Sequence, residues 1–181
     1  HKEKIQDKYM ESSEVHVLLD NMSIDKWREL TEFLIMTGLR IGEALALEIN
    51  DIDLKERQIH VTKTFDTNNM ETTTPKTLES LRDVYIQDDL LSLCRILKKN
   101  ALTWRMVSGS NLIFQDENGR YRYAAYNKYL RENTEKIIGR KLTAHALRHT
   151  HVSLLAEQGI NFETIARRVG HDGSKVTREI Y

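Results

Sequence analysis

Trp27, Leu30, Phe33 and Leu34 recur at helical spacing behind Ser23, which predicts an amphipathic helix with a serine N-cap, ending near Gly38. A second, short helix is expected from Arg40, with Ile41, Ala44, Leu45 and Leu47 as its apolar side. The pattern then changes period. Ile59, Val61 and Thr62 within residues 58–65 predict a strand, and Val84 and Ile86 within 82–87 predict another. The threonine-rich polar connection between them holds Pro75, the only proline, and reads as the long loop of a hairpin or meander. Helices are expected at about 88–102 and 124–138, with a short apolar strand near 112–114 between them. Past Thr143 three short helices are predicted: one through Leu154, one over 161–169 and one from Ser174 onward. With no internal repeat or low-complexity segment, the pattern is that of a mainly α domain with a small antiparallel β-sheet, an α+β fold.

Composition narrows this picture. A chain of 181 residues with 40% hydrophobic content can bury one ordinary core. Its zero net charge argues against a strongly basic nucleic-acid surface, but the average hides a gradient. Residues 1–60 carry 8 basic and 13 acidic side chains, 61–130 carry 10 and 8, and 131–181 carry 9 and 6. The carboxyl-terminal part is therefore the basic one. Cys94, the single cysteine, lies in an apolar run and reads as a buried small hydrophobe. No apolar run is long enough to span a bilayer and no signal pattern opens the chain, so a soluble intracellular protein is expected. His1 and Tyr181 are improbable natural ends, and a piece of a longer protein is expected.

The candidate chemistry sits in that basic part. His145-Ala146-Leu147-Arg148 is followed by Gly170-His171 and by Tyr181, and Thr37-Gly38-Leu39-Arg40-Ile41-Gly42-Glu43-Ala44-Leu45 adds a second arginine far upstream. The guanidinium fork matches a phosphate and stays charged at any useful pH. Arg40 at the start of a helix stands where backbone N–H groups already favour an anion. Either arginine alone reads as a solvated or ion-paired side chain. His145, three residues before Arg148, shares a helix face with it, and its imidazole can move a proton near neutrality. His145, His149 and His151 also invite a metal reading, but no HExxH pattern or supporting ligand set accompanies them, and His149 and His151 read as packing residues or as side chains that support the site from behind.

Jointly and in order, these residues resemble the catalytic domain of tyrosine recombinases, the phage and conjugative-transposon integrase family, from about residue 23 to 181. The resemblance implies a site-specific recombinase that cleaves and rejoins DNA through a 3′-phosphotyrosyl link, with Tyr181 as nucleophile. It assigns Arg40 and Arg148 to the phosphate, His145 to proton transfer, His171 to phosphate hydrogen bonding and Glu43 to structural support. A hairpin lysine would be the general acid for the leaving 5′-oxygen, Lys76 in preference to Lys63. Neither metal nor other cofactor is implied. The partners implied are double-stranded DNA attachment sites, a homo-tetramer on that DNA, and accessory DNA-bending or directionality factors, with no membrane. The setting implied is the bacterial cytoplasm, associated with the nucleoid. Residues 1–22 are expected as a linker and start of the domain, and 23–181 as the catalytic domain, cut at or just after its nucleophile, with amino-terminal DNA-binding domains outside the chain. Two alternatives stand beside this: type IB topoisomerase-like relaxation, and a non-enzymatic regulator using residues 154–167 as a helix-turn-helix. Covalency separates the regulator from the enzyme.

Overall fold

Helix α1 (Ser12–Asn21) buries Val15 and Leu18 and begins where the Glu11 N–H meets the Glu14 carboxylate at 3.1 Å. Its approach is fixed by the Met10 N–H, which donates to the Thr150 hydroxyl at 3.0 Å. No helix was expected in this stretch, because two buried residues make a faint stripe. Helix α2 (Asp25–Thr37) carries the expected stripe, with Trp27, Leu30, Phe33 and Leu34 buried. Its cap position is Ile24 and not Ser23, and no side chain caps it; instead the Ile24 N–H bonds to the Tyr129 hydroxyl at 3.2 Å. Helix α3 (Ile41–Ala46) is the short helix expected after Arg40.

The computed structural model describes residues 8–170, which divide into two compact units: residues 8–40 with 124–170, and residues 41–123. In the second unit, β1 (Ile52–Asp53), β2 (Gln58–Val61), β3 (Thr64–Asp66), β4 (Glu71–Thr73) and β5 (Arg82–Tyr85) follow α3. A three-stranded antiparallel sheet has the order β1-β2-β5, with Ile59 opposite both Ile52 and Val84, all three fully buried. The single strand expected over 58–65 is thus two strands, broken at Thr62 and Lys63, and the expected long loop contains a second hairpin, β3 with β4. Asp66 closes that hairpin: its carboxylate accepts from the N–H groups of Asn68 and Asn69.

Helix α4 (Asp88–Ser108) buries Leu90, Leu93, Cys94, Leu97 and Ala101 and then continues past its apolar stripe to a left-handed Gly109. Burial of Cys94 pushes its thiol up to about 12, as expected of a small core residue. The strand expected near 112–114 is shifted to β6 (Gln115–Asp116), paired with β7 (Gly119–Arg120), while Ile113 and Phe114 are buried just before it. In the first unit, α5 (Tyr123–Ile138) sets Tyr126 against α2, its hydroxyl 2.8 Å from Thr31 Oγ1 and its ring 5.5 Å from that of Trp27. Helices α6 (Ala144–Glu157) and α7 (Phe162–Val169) pack on each other through Val152, Ile165 and Val169. The helix expected from Ser174 lies outside the described residues. The mainly helical α+β expectation holds.

Candidate active site

A helix leaves its last carbonyls without partners, and α2 has them filled from far along the chain. The Gly38 N–H takes the Leu34 carbonyl at 3.0 Å. His151 Nδ1 lies 2.7 Å from the Ile35 carbonyl, Arg168 Nη2 donates to the Met36 carbonyl at 3.1 Å, and Arg148 Nη1 donates to the Gly38 carbonyl at 2.9 Å. Arg168 Nε also donates to His151 Nε2 at 3.1 Å. Since a guanidinium only donates, Nε2 is the acceptor and the imidazole proton sits on Nδ1, which donates to Ile35. Both ring nitrogens of His151 are thereby engaged inside the fold, which fits the packing role expected of it and not a metal ligand. Cationic donors at a helix carboxyl end also favour its dipole.

Gly38 is required twice over. Its φ of 69° is left-handed, and a Cβ there would lie 2.4 Å from His151 Cδ2. The turn so built places half-buried Arg40 two residues beyond the carbonyl held by Arg148, 110 residues away in sequence. Arg148 is 3% exposed. One turn earlier on α6, His145 is exposed to solvent, its ring edge-on to that of buried His149 with centroids 4.4 Å apart. An arginine held stiffly beside a second arginine's turn, with an accessible imidazole on the same helix, can receive a phosphate and exchange a proton.

The second unit holds Glu43, Lys63 and Lys76. Glu43 on α3 is 2% exposed and receives the fork of Arg82, Nη1 to Oε2 at 2.7 Å and Nη2 to Oε1 at 3.1 Å. Glu43 is thus held in a buried ion pair, with Arg82 as a partner the sequence did not mark. Gly42 beside it is where β3 crosses, close to the Phe65 carbonyl and the Thr64 hydroxyl. Lys63 Nζ is bound to Glu48 and lies 3.5 Å from Asp51. Burial pushes its ammonium down, but the two carboxylates outweigh this and hold the proton more firmly than usual. Lys76 is exposed, in the connection between β4 and β5.

Arg40, His145 and Arg148 therefore belong to the first unit, and Glu43, Lys63 and Lys76 to the second. His171 and Tyr181 lie outside the described residues. Arg82, Arg168 and Gly42 carry no signal in the sequence that marks them as functional. Arginines are usually solvated, and the only sequence hint at Gly42 is its place inside the Arg-x-Gly-Glu run.

Comparison with known proteins gives this arrangement a context. A family model described as the phage integrase family matches residues 8–181. The chain is 33% identical over 196 residues to the prophage ps2 probable integrase of Lactococcus lactis, covering 99% of this chain and 51% of that protein. It is 35% identical over 154 residues to the ICEBs1 integrase of Bacillus subtilis, covering 81% and 42%. It thus spans about half the length of the curated relatives it matches. The Tn1549 transposon integrase in complex with circular intermediate DNA has the same fold, with a TM-score of 0.82 at 22% identity over 99% of this chain and 63% of that one. The XerA recombinase crystal structure does so with a TM-score of 0.72 at 24% identity, over 96% and 57%. With its two arginines brought to one turn and its match running nearly end to end, the chain belongs to the phage integrase family.

Proposed function

We propose that the protein is a site-specific DNA recombinase of the integrase type, and that this chain carries its strand-cleaving chemistry. The observation that carries the reading is the hydrogen bond from Arg148 to the Gly38 carbonyl, which draws the His145-x-x-Arg148 helix to the turn bearing Arg40. In this reading the two guanidinium groups take the non-bridging oxygens of one phosphodiester, and His171 adds a hydrogen bond. The Tyr181 hydroxyl attacks phosphorus. A Tyr–O–P bond forms, the bond to the 5′-oxygen breaks, His145 receives the phenol proton, and Lys76 delivers a proton to the departing 5′-oxygen. The phosphodiester energy is conserved in the 3′-phosphotyrosyl link, and a 5′-hydroxyl from another strand reverses the step to rejoin. The tie of Lys63 to Glu48 and Asp51 supports Lys76 as the acid, because a lysine held as a firm ion pair releases its proton reluctantly.

The partners in this reading are double-stranded attachment sites, a tetramer of the protein on them, and accessory factors that bend DNA or set direction. The setting is the bacterial cytoplasm and its nucleoid. Among the described residues, no helix is long and apolar enough to cross a membrane. Family membership counts against the regulator and topoisomerase-like alternatives. The test uses the full-length protein on nicked attachment-site DNA without divalent metal. A denaturation-resistant protein–DNA adduct is expected with the wild type and not with Tyr181→Phe. Tight specific binding with no adduct from either protein would overturn the reading in favour of a regulator.

A further inference from the structure

We infer that Arg82 is a positioning residue for the leaving-group acid: anchored by its fork on Glu43, it holds the turn that directly follows Lys76. The inference rests on the proposed strand-cleaving function and deepens it. Side chains in the connection over 74–80 are exposed or half-buried, and Lys76 itself is exposed, so core packing does not locate it. A short run of hydrogen bonds does. Arg82 Nη1, besides meeting Glu43, donates to the Ser80 carbonyl at 2.8 Å. The Ser80 hydroxyl lies 2.9 Å from Thr77 Oγ1, and the Ser80 N–H bonds to the Thr77 carbonyl at 3.3 Å, closing the turn Leu78–Ser80. Thr77 is the neighbour of Lys76. The run therefore begins on α3, three residues after Arg40, and ends beside the lysine.

The Arg82 and Glu43 side chains are 6% and 3% exposed, which separates this pair from ordinary surface ion pairs. A buried pair adds little net stability over an apolar substitute, because desolvation cancels the attraction, but its two-pronged geometry admits one placement. Arginine at position 82 thus sets where a proton donor stands.

The test compares single-turnover cleavage by the full-length protein on two attachment-site DNAs, one with the normal bridging 5′-oxygen and one with bridging 5′-sulfur. A thiolate leaves without a proton, so only defects in acid delivery disappear on sulfur. Lys76→Ala should slow the oxygen substrate by about 100-fold or more and recover on sulfur, given the usual worth of a general acid. Arg82→Lys, which keeps charge and loses the fork, should slow oxygen cleavage by about tenfold and likewise recover on sulfur. Arg40→Lys, a phosphate-side loss, should stay slow on both. Should Arg82→Lys melt below the assay temperature, Glu43→Gln carries the same comparison from the other end of the fork. Recovery of Lys76→Ala without recovery of the fork variants overturns the role of Arg82 and leaves the proposed function standing. Failure of Lys76→Ala to recover overturns the assignment of the acid itself, and the role of Arg82 with it.

Discussion

A methyl group on Gly42 would sit 2.7 Å from both the Phe65 carbonyl oxygen and the Thr64 hydroxyl, closer than real Cβ atoms come. The hydroxyl can rotate away, but the carbonyl belongs to β3 and cannot move without its strand. Gly42→Ala is therefore expected to destabilise the second unit by about 1–3 kcal/mol, the usual cost of overpacking a tight contact. A urea titration checks this, and an unchanged midpoint would show that α3 and β3 have slack the geometry denies. At this scale the sequence marks candidate residues more readily than what holds them. Arg40, Glu43 and Arg148 stand out by type and spacing, whereas Gly42 is explained only by a strand crossing over it 23 residues later. Arg82 is equally silent in sequence, since nothing local distinguishes a buried arginine from a solvated one.

Helix α2 ends in a set of carbonyls held by α6 and α7, and its last turn is only as firm as those donors. Arg168→Met removes the donors to the Met36 carbonyl and to His151 Nε2 together. We expect a loss of about 1–3 kcal/mol and faster amide exchange in the last turn of α2, with α4 unaffected. Exchange that quickens equally in both units would argue for global unfolding and against a local clamp. The helices with strong apolar stripes are legible from the hydrophobic spacing alone, α2 and α5 within a residue or two. Helices α3, α6 and α7 also stand where the pattern puts them, α7 within one residue, whereas α1, the hairpin of β3 with β4 and the end of α4 have weak or absent stripes and are not legible. Strand β4 has all three residues exposed and offers no alternation to read, so its hairpin passes for loop. The last turns of α4 continue beyond Ala101 with Met106 and Val107 exposed, so the stripe stops before the helix does.

Within the first unit the chain's early and late segments are tied by charge as well as by apolar packing. Arg140 donates to both Glu14 oxygens, at 2.6 and 3.2 Å, and to the Tyr9 carbonyl at 3.0 Å. Burial pushes the Glu14 carboxyl up, but the hydrogen bonds from Arg140 and from the Glu11 N–H outweigh it, and the net direction is down. A carboxyl held low in the folded state adds stability above its ordinary value of 4.5, and that share is lost as pH falls through the lowered value. The pair is partly exposed, so its share is below about 1 kcal/mol. Melting temperature should thus fall below pH 4.5 less steeply in Glu14→Gln than in the wild type, whereas identical slopes would show that the pair contributes nothing. Neither this tie nor the division into two units is legible in the sequence, because both depend on residues more than 80 positions apart.

The donors that hold the end of α2 reach it from 110, 116 and 132 residues downstream. Proteins are made from the amino terminus, and early segments fold as they leave the ribosome. A nascent chain that has emerged only as far as α5 already contains Arg40 but none of the three side chains that fix its turn. The turn before Arg40 is therefore held only once α6 and α7 have been made, so a chain halted at α5 would carry that arginine on a helix end whose carbonyls still face water.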